Sequence, residues 1–244
     1  MSQTRTAVVL GASGSVGHAL VIELIGCGLF SAIVTLVRRP QPTQHEQAHG
    51  GGVALQEILI KTMDPAAVEA AAEAAAKSFE GDVVGFSVLG VGAGTAKLSV
   101  DAHRAVDVQL NAAFARGLST SGRVRHLALM SAVGADPTAA ATGSGAPGLA
   151  RYARVKGEAE KAVKESGLAI VSIFRPATIL GSRHTPRLLE KLLPAFSLLT
   201  PARYKSITIA QIAKAMVAVA ANTPATANIY HYTEMLALNS YSID

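Results

Sequence analysis

A glycine-rich turn close to the start of the chain constrains the fold more than any other feature. Residues 6–10 form an apolar run typical of a buried strand, and the apolar residues over 18–25 are spaced as in a helix. Gly11, Gly14 and Gly17 stand between these two segments. A strand that enters a helix through such a turn leaves backbone N–H groups unpaired at the positive end of the helix dipole. We therefore expect the turn to bind a phosphate group.

Each glycine of the turn has its own expected role. Gly11 allows the tight turn, Gly14 lets a diphosphate approach the backbone, and Gly17 lets the helix lie close to the strand. The expected binding loop for a nicotinamide dinucleotide also includes Ser13, Ser15 and Val16. The spacing is GxxGxxG, where the commonest dinucleotide pattern is GxGxxG, and an ordinary turn has the same pattern. Other parts of the chain must therefore decide between a dinucleotide-binding loop and an ordinary turn.

The composition argues against several classes of function. The chain has 244 residues, and its single cysteine, Cys27, excludes an internal disulfide and favours a reducing compartment. Lys and Arg are scattered among Asp and Glu despite a net charge of +5, and aromatic residues make up only 5%, so we expect no nucleic-acid partner. No leader peptide is visible, and no apolar run reaches about 18 residues, which predicts a cytoplasmic protein without a transmembrane segment.

Strand and helix patterns alternate along the chain. Strands are predicted at 6–10, 32–37, 53–60, 82–90, 124–131 and 169–174, and helices at 18–25, 65–79, 98–116 and 151–166. We expect a polar loop at 41–52 and a mobile, low-complexity loop at 135–150. The alternation predicts an α/β fold, with a doubly wound, mainly parallel sheet of the Rossmann type and helices on both faces.

The last part of the chain is expected to extend the same domain. Residues 1–244 would then form one dinucleotide-binding unit, with 182–244 as a small C-terminal extension on the substrate side. The pattern predicts a helix at 188–199, a strand at 206–209, a helix at 210–221 and a strand at 227–232. An apolar wall suited to a hydrophobic substrate, or equally well a packed core, would come from Leu188, Leu189, Leu192, Phe196 and Leu199.

Two arginines after the second predicted strand bear on the choice of cofactor. Proteins that bind NAD place an acidic residue there to accept hydrogen bonds from the adenosine ribose. This chain has Arg38 and Arg39 instead, and guanidinium groups bind a phosphate well. The pair therefore predicts NADP(H), whose 2′-phosphate it would hold, although a solvated basic pair at a strand end has the same sequence.

A tyrosine and a lysine four residues apart form the candidate catalytic pair. On a helix, Tyr152 and Lys156 share one face, so the ammonium would lower the pKa of the phenol and let it relay protons near neutrality. Ser131 ends the fifth predicted strand, at the edge where such sheets bind ligands, and its hydroxyl would hold a substrate oxygen. These three residues are the predicted catalytic set.

These motifs resemble the short-chain dehydrogenase/reductase superfamily. Over residues 6–181 the chain is similar to the atypical branch of HIV Tat-interacting-protein oxidoreductases. That resemblance rests on Gly11-Ala-Ser-Gly14-Ser-Val-Gly17, Arg38-Arg39, Leu129-Met-Ser131-Ala-Val-Gly-Ala-Asp136, Tyr152-Ala-Arg-Val-Lys156-Gly-Glu-Ala-Glu160 and Phe174-Arg-Pro176. It implies NADPH in the glycine turn, a Ser131/Tyr152/Lys156 triad, Leu89 and Gly90 beside the nicotinamide ribose, and Pro176 over the nicotinamide. Tyr152 and Lys156 would also bind the cofactor, with Lys156 holding the ribose.

The chain departs from the branch in three places. The loop between Ser131 and Tyr152 is longer than expected. The acidic residue usual after strand three is replaced by Ile60 and Lys61, with Asp64 as a later substitute. Asn111 and Asp107 compete for a further position of the family's catalytic set, which we leave unassigned. The spacing of His103, His126 and His184 suits no metal site.

Two functions from different classes follow from this pattern. The first is an NADPH-dependent oxidoreductase that transfers hydride to a carbonyl or an activated double bond of an apolar small molecule. The second is an NADPH-binding regulatory or assembly protein that acts through a protein partner, as some relatives do. Sugar epimerisation needs a larger substrate domain than the tail provides. The sequence leaves the oligomeric state open, and the resemblance implies that any oligomer would pair through the helices at 98–116 and 151–166, where superfamily members often pair.

Overall fold

Strands and helices alternate in the computed structural model, which describes residues 5–92, 98–140, 147–182 and 200–240. In chain order the elements are β1 (Arg5–Leu10), α1 (Ser15–Gly26), β2 (Ala32–Val37), α2 (Pro42–Gly50), β3 (Ala54–Leu59), α3 (Pro65–Lys77), β4 (Asp82–Ser87), α4 (Val100–Arg104), a π-helical segment (Ala105–Leu110), α5 (Asn111–Thr120), β5 (Val124–Met130), α6 (Pro147–Lys164), β6 (Ile170–Phe174), β7 (Ile179–Leu180), a 3-10 turn (Ala202–Tyr204), β8 (Ile207–Thr208), α7 (Ile209–Ala221), β9 (Asn228–Tyr230) and α8 (Tyr232–Asn239).

A parallel sheet of seven strands holds the fold together, in the order β3-β2-β1-β4-β5-β6-β9. The order reverses beside β1, where Leu10 pairs with Leu36 on β2 and with Ser87 on β4. Helices cover both faces, so the predicted doubly wound fold is confirmed. At such a reversal, the connections leave the sheet in opposite directions and open a crevice at the carboxyl ends of the strands, where ligands bind.

The core consists of two apolar layers, one on each face of the sheet. Because side chains alternate along a strand, Val9 of β1 packs with α1 and α7, whereas Val8 packs with α3 and α5. Strands β2 and β6 are buried on both faces, as their continuous apolar runs predict, whereas the edge strand β3 is partly exposed. The glycine turn is anchored at its strand end by the fully buried Leu10.

Two predicted loops differ in the structure. Residues 42–50 form helix α2, so the polar loop predicted over 41–52 was wrong. Gln44 on this helix is buried, and its amide donates a hydrogen bond to the Ala12 carbonyl at 2.9 Å, so a tertiary contact stabilises a segment with little apolar character. Helix α6 begins at Pro147, which shortens the loop predicted over 135–150, and residues 141–146 of that loop lie outside the described residues.

The C-terminal part joins the same sheet and core. Strand β9 pairs in parallel with β6, matching Ser172 with Asn228, and helix α7 packs against α1. Thr208 and Gln211 form a reciprocal capping box at the start of α7. The helix predicted over 188–199 lies outside the described residues. In the ranges that the structure covers, no helix has the length and apolar character needed to cross a bilayer.

Candidate active site

The glycine turn leaves no room for side chains where it contacts the sheet and the helix. Gly11 has φ +91°, and a Cβ atom there would lie 2.7 Å from the Leu89 backbone nitrogen. A Cβ on Gly17 would lie 2.0 Å from the Gly11 carbonyl oxygen. A Cβ on Gly14, by contrast, would meet only the Gly11 carbonyl oxygen, at 3.4 Å. The turn is therefore closed towards the protein and open towards the outside at Gly14.

The same turn has the features of an anion-binding site. Gly14 is the N-cap of α1 and offers no side chain to cap it, and the first turn of α1 contains no acidic residue. Ser13 and Gly14 are exposed, and Gly14, Ser15 and Val16 line a cavity of about 480 Å³. A helix N-terminus of this kind attracts a phosphate, so these residues fit the diphosphate of a dinucleotide.

Three different segments supply the opposite wall of this cavity. Ser131 follows β5, Tyr152 and Lys156 project from α6, and Pro176 follows β6. Gly90, after β4, lies between the glycine turn and Lys156, since a Cβ there would be 2.9 Å from the Lys156 Nζ. The chain thus brings the predicted catalytic set and most of the predicted cofactor residues to one cavity, which we name the site cavity.

Six predicted cofactor residues are not part of the site cavity lining, namely Gly11, Ser13 and Gly17 of the glycine turn and Arg38, Arg39 and Leu89 outside it. The Leu89 side chain packs against the apolar layer of α3 and α5, and only its neighbours Val88 and Gly90 line the cavity. Arg38 and Arg39 are exposed at the carboxyl end of β2, and neither forms an ion pair with another described residue. Both arginines stand beside the strand that carries the glycine turn, on its adenosine side in a Rossmann fold.

Tyr152 and Lys156 meet on the inner face of α6. The Lys156 Nζ lies 5.8 Å from the centre of the Tyr152 ring. The Tyr152 ring also stacks on His103, with 5.9 Å between ring centres and an angle of 18° between the planes. His103 is completely buried, so it provides a firm surface that fixes the orientation of the Tyr152 ring.

A buried carboxylate that the sequence left unassigned holds Lys156. Asp107, in the π-helical segment, forms an ion pair with the Lys156 Nζ at 2.6 Å, and neither side chain is more than 5% exposed. Burial alone would raise the pKa of Asp107, but Lys156 and the adjacent His103 outweigh it and lower this pKa to about 2. Burial would likewise lower the pKa of Lys156, but its electrostatic interactions with Tyr152 and Asp107 raise it. Lys156 is therefore a positioned, charged ammonium.

Asn111, the other candidate for that position, has different partners. Its amide nitrogen donates to the Asp107 carbonyl oxygen at 2.8 Å and to the Leu89 carbonyl oxygen at 3.4 Å, and its amide oxygen accepts from the Ser87 hydroxyl. Asn111 thus connects the end of β4 to the start of α5 through hydrogen bonds. The sequence left this choice open, and the signal that could have favoured Asp107 is a single carboxylate among the apolar residues Val106, Val108 and Leu110.

A second buried carboxylate binds the Ser131 hydroxyl. The Ser131 Oγ donates to the Glu160 Oε1 at 2.5 Å, and Arg175 donates to both Glu160 oxygens at 2.8 and 2.6 Å. Glu160 is only 3% exposed. Sequence reasoning missed this role of Glu160, although Glu160 stands one helical turn beyond Lys156 and so shares its face of α6.

The remaining sequence predictions concern the cavity's surroundings. Asp64 caps helix α3 by accepting a hydrogen bond from the Ala67 N–H at 2.9 Å. Its carboxylate therefore has a structural role at the start of this helix. Over the described ranges, no group of three or more metal-ligating side chains comes together.

The apolar wall expected from Leu188, Leu189, Leu192, Phe196 and Leu199 lies outside the described residues. Leu149 and Tyr204, both exposed apolar residues, line the cavity instead.

The fold and the cavity together define a dinucleotide-binding protein of the short-chain dehydrogenase/reductase type. The family described as NAD(P)H-binding matches residues 11–223, and the chain belongs to that family. Protein HTATIP2 from Rattus norvegicus is 31% identical over 185 residues, which span 76% of this chain and 67% of that protein. This relative agrees with the atypical branch that the motifs indicate.

Solved structures of low sequence identity share the fold. MoeE5, in complex with UDP-glucuronic acid and NAD, matches with a TM-score of 0.66 and 17% identity over 92% of this chain and 75% of its own. A short-chain dehydrogenase/reductase from Serratia marcescens matches with a TM-score of 0.66 and 16% identity over 95% of this chain and 99% of its own. The similarity therefore extends over nearly the whole architecture.

Proposed function

We propose that the protein is an NADPH-dependent oxidoreductase that transfers hydride to a carbonyl or an activated double bond of a small apolar molecule. The observation that carries this proposal is the shared lining of the site cavity. The glycine turn with its exposed Gly14 forms one side, and Ser131, Tyr152 and Lys156 form the other. A site with an anion-binding turn and a tyrosine beside a charged lysine has the parts that this reaction needs.

Each residue of the site has a separate role in this reaction. NADPH, when bound, supplies the hydride. Tyr152 donates a proton to the substrate oxygen, and the Lys156 charge favours the phenolate that remains. Asp107 keeps the ammonium in place, and His103 fixes the plane of the Tyr152 ring. Ser131 lines the same cavity, and its hydroxyl would orient the substrate oxygen by donating to it in place of Glu160.

The preference for NADPH over NADH rests on the arginine pair. Arg38 and Arg39 are exposed at the end of β2, are not paired with a described carboxylate, and stand where NAD-binding proteins carry an acid. A hydrogen bond to a charged group contributes about 1.5 to 3 kcal/mol, so one such contact to the 2′-phosphate is enough for a preference of about tenfold. We infer that this pair selects the phosphorylated cofactor.

The apolar substrate class is supported by part of the site cavity lining. Apolar side chains of four separate segments contribute to it, namely Met130, Val133, Leu149, Ile179 and Tyr204. Leu149 is 70% exposed and lines the cavity, so its apolar side chain is available to a ligand there. A hydrophobic substrate would cover this surface.

A comparison of the parent protein with Tyr152→Phe tests the proposal. The substitution removes the proton donor and keeps the ring that stacks on His103, so NADPH should bind with unchanged affinity. We expect turnover of a panel of aldehydes, ketones and enones to fall at least about 100-fold. If the variant reduces the same substrates as fast as the parent does, the assigned role of Tyr152 is wrong.

A second candidate function is an NADPH-binding protein that acts through a protein partner with little turnover. A specific observation favours it: Lys156 and Ser131 are both held by buried carboxylates, Asp107 and Glu160, so two of the three expected catalytic groups have strong partners within the protein. Tight NADPH binding, no turnover across the panel and a protein that copurifies through Leu149 would support this alternative.

A further inference from the structure

One carbonyl group of the glycine turn is held by a side chain from helix α2. Gln44 is 1% exposed, and its amide nitrogen donates to the Ala12 carbonyl oxygen at 2.9 Å. The same nitrogen lies 3.4 Å from the Nδ1 of His18 on α1. Only the NH2 group of an amide can donate to a carbonyl oxygen, so the contact with Ala12 determines the orientation of the Gln44 amide.

The hydrogen bond to Ala12 also determines where the next backbone N–H points. A peptide unit is planar and trans, so the Ala12 carbonyl and the Ser13 N–H point in opposite directions. Because the carbonyl faces the Gln44 amide, the Ser13 N–H faces away from helix α2. Ala12 is completely buried, whereas Ser13 is exposed. The bond from Gln44 therefore fixes the direction of an N–H group at the exposed part of the turn.

Ser13 carries an open backbone donor of the turn. The Gly14 N–H donates to the Gly11 carbonyl oxygen at 3.1 Å, so that group is already used within the turn. In the part of the chain that the structure describes, no group accepts a hydrogen bond from the Ser13 N–H. An unpaired N–H beside the N-terminus of α1, where the helix dipole is positive, suits an anionic oxygen.

The Gln44 side chain is not the best choice for packing alone. Its Oε1 atom is buried and has no hydrogen-bond partner among the described residues. A buried, unpaired amide oxygen is unfavourable, and an apolar side chain of the same size would avoid it. An apolar side chain could not donate to the Ala12 carbonyl, however. The amide is therefore explained by its donor, which acts on the glycine turn.

We propose that Gln44 is a positioning residue for the cofactor, which directs the Ser13 N–H at the diphosphate of a bound dinucleotide by holding the Ala12 carbonyl. Gln44 acts through the backbone of the turn and is not among the residues that line the site cavity. The inference rests on the dinucleotide-binding part of the proposed function. It depends neither on hydride transfer nor on the choice between NADPH and NADH.

Gln44→Met tests this inference, because methionine has nearly the size of glutamine but has no donor for the Ala12 carbonyl. NADPH and NADH contain the same diphosphate, so we expect the dissociation constants of both to rise by the same factor, about tenfold. The ratio of the two constants should stay as it is in the parent protein. Isothermal titration calorimetry measures both ligands and needs no turnover.

The matched control is Gln47→Met, which makes the same change at an exposed position of the same helix. This variant should bind both dinucleotides with the affinity of the parent. If Gln44→Met does not fold, Gln44→Ala removes the same donor and introduces a residue that favours a helix, and the same equal losses are expected.

Any one of three results would overturn the inference. The first is an unchanged affinity for both dinucleotides in the Gln44 variant, and the second is an equal loss in Gln47→Met. The third is a loss for NADPH that clearly exceeds the loss for NADH. Such a difference would mean that α2 has moved together with Arg38 and Arg39, which precede it, and that Gln44 has only a structural role.

The binding measurement also separates this inference from the proposed function. A parent protein that binds both dinucleotides but reduces no substrate would refute the proposed hydride transfer, while the affinities of the Gln44 variant would still decide the role of Gln44. A parent that binds neither dinucleotide would refute both proposals.

Discussion

The two ends of the parallel sheet differ in how far their ion pairs are exposed to water. At the carboxyl end, Lys156 and Asp107 form an ion pair with at most 5% of either side chain exposed. At the amino end, Arg5 and Asp82 form an ion pair at 3.1 Å with side chains 23% and 41% exposed. That end also has a cavity, of about 680 Å³, but its wall includes the neutral, buried His126 rather than a buried ion pair.

The difference shows which charges maintain the fold and which belong to the site. Arg5 donates to the Ala221 carbonyl oxygen at 2.9 Å, so it also closes the end of α7 against the sheet. Burying a charge is unfavourable even when the charge is paired, and a buried pair is weak evidence of a stabilising role. The Lys156–Asp107 pair therefore has the character expected of a functional group, whereas the Arg5–Asp82 pair has that of an ordinary surface contact.

Asp107→Leu is the strongest test of this contrast, because it leaves the buried Lys156 ammonium without its partner. We expect the free energy of unfolding to fall by about 3 to 5 kcal/mol. The chain has no tryptophan, so urea unfolding is best followed by far-UV circular dichroism.

The matched control removes both charges together. In Asp107→Leu with Lys156→Met no charge remains buried at this position, so most of the lost stability should return. A single variant that loses less than about 1 kcal/mol would show that Lys156 finds another partner or reaches water, and the contrast between the two ends of the sheet would fail.

The two ends should also lose stability in different pH windows. Burial lowers the pKa of His126 from 6.5 to about 4. The unfolded chain takes up a proton below pH 6.5 while the folded protein stays neutral until about pH 4, so stability falls as the pH drops through this window, by about 3 kcal/mol. The measurement is a series of urea unfolding curves between pH 7 and pH 4.

The carboxyl end responds only at lower pH. Asp107 has its pKa lowered from 3.8 to about 2, so its contribution is present above pH 3.8 and is lost as the pH falls through about 2. His126→Gln should therefore flatten the curve between pH 6.5 and 4 and leave the lower window unchanged. A curve that keeps its slope in this variant would assign the higher window to other groups.

Local patterns in the sequence were enough for the strands and the glycine turn. Continuous apolar runs marked the buried strands, and the positions of Gly11 and Gly17 followed from the close contacts that a strand, turn and helix impose. Helix α2 was missed because its residues have weak helical and apolar signals, and its stability comes from contacts such as that of Gln44 with the Ala12 carbonyl. Such a contact depends on the tertiary fold.

The candidate site likewise contains residues that the sequence identified and residues that it did not. Ser131, Tyr152 and Lys156 were identified through spacing and position at strand ends, which are properties of the chain alone. Asp107 and Glu160 acquire their partners only when α6 packs against the π-helical segment and the end of β5. Carboxylates are common on helix surfaces, so the apolar neighbours of Asp107 and the spacing of Glu160 from Lys156 were not enough to identify their partners.

Arg38→Asp with Arg39→Ser tests the exposed part of the carboxyl end, where the expected effect is smaller. This change should weaken NADPH binding about tenfold, which is about 1.4 kcal/mol, and affect NADH much less. Because both arginines are exposed and neither pairs with a described carboxylate, the free energy of unfolding should stay nearly constant. Equal titration curves for NADPH and NADH on the parent protein would contradict the assigned role.

Of these substitutions, Asp82→Asn should change the free energy of unfolding least. Because both side chains of the Arg5–Asp82 pair are partly solvated, its loss should lower the free energy of unfolding by less than about 1 kcal/mol. Arg5→Met should lower it further, since the Ala221 carbonyl at the end of α7 then also loses its donor. Urea unfolding measures both variants. An Asp82→Asn effect as large as that of Asp107→Leu would mean that partial exposure does not weaken the pair, and the two ends of the sheet would then differ only in function.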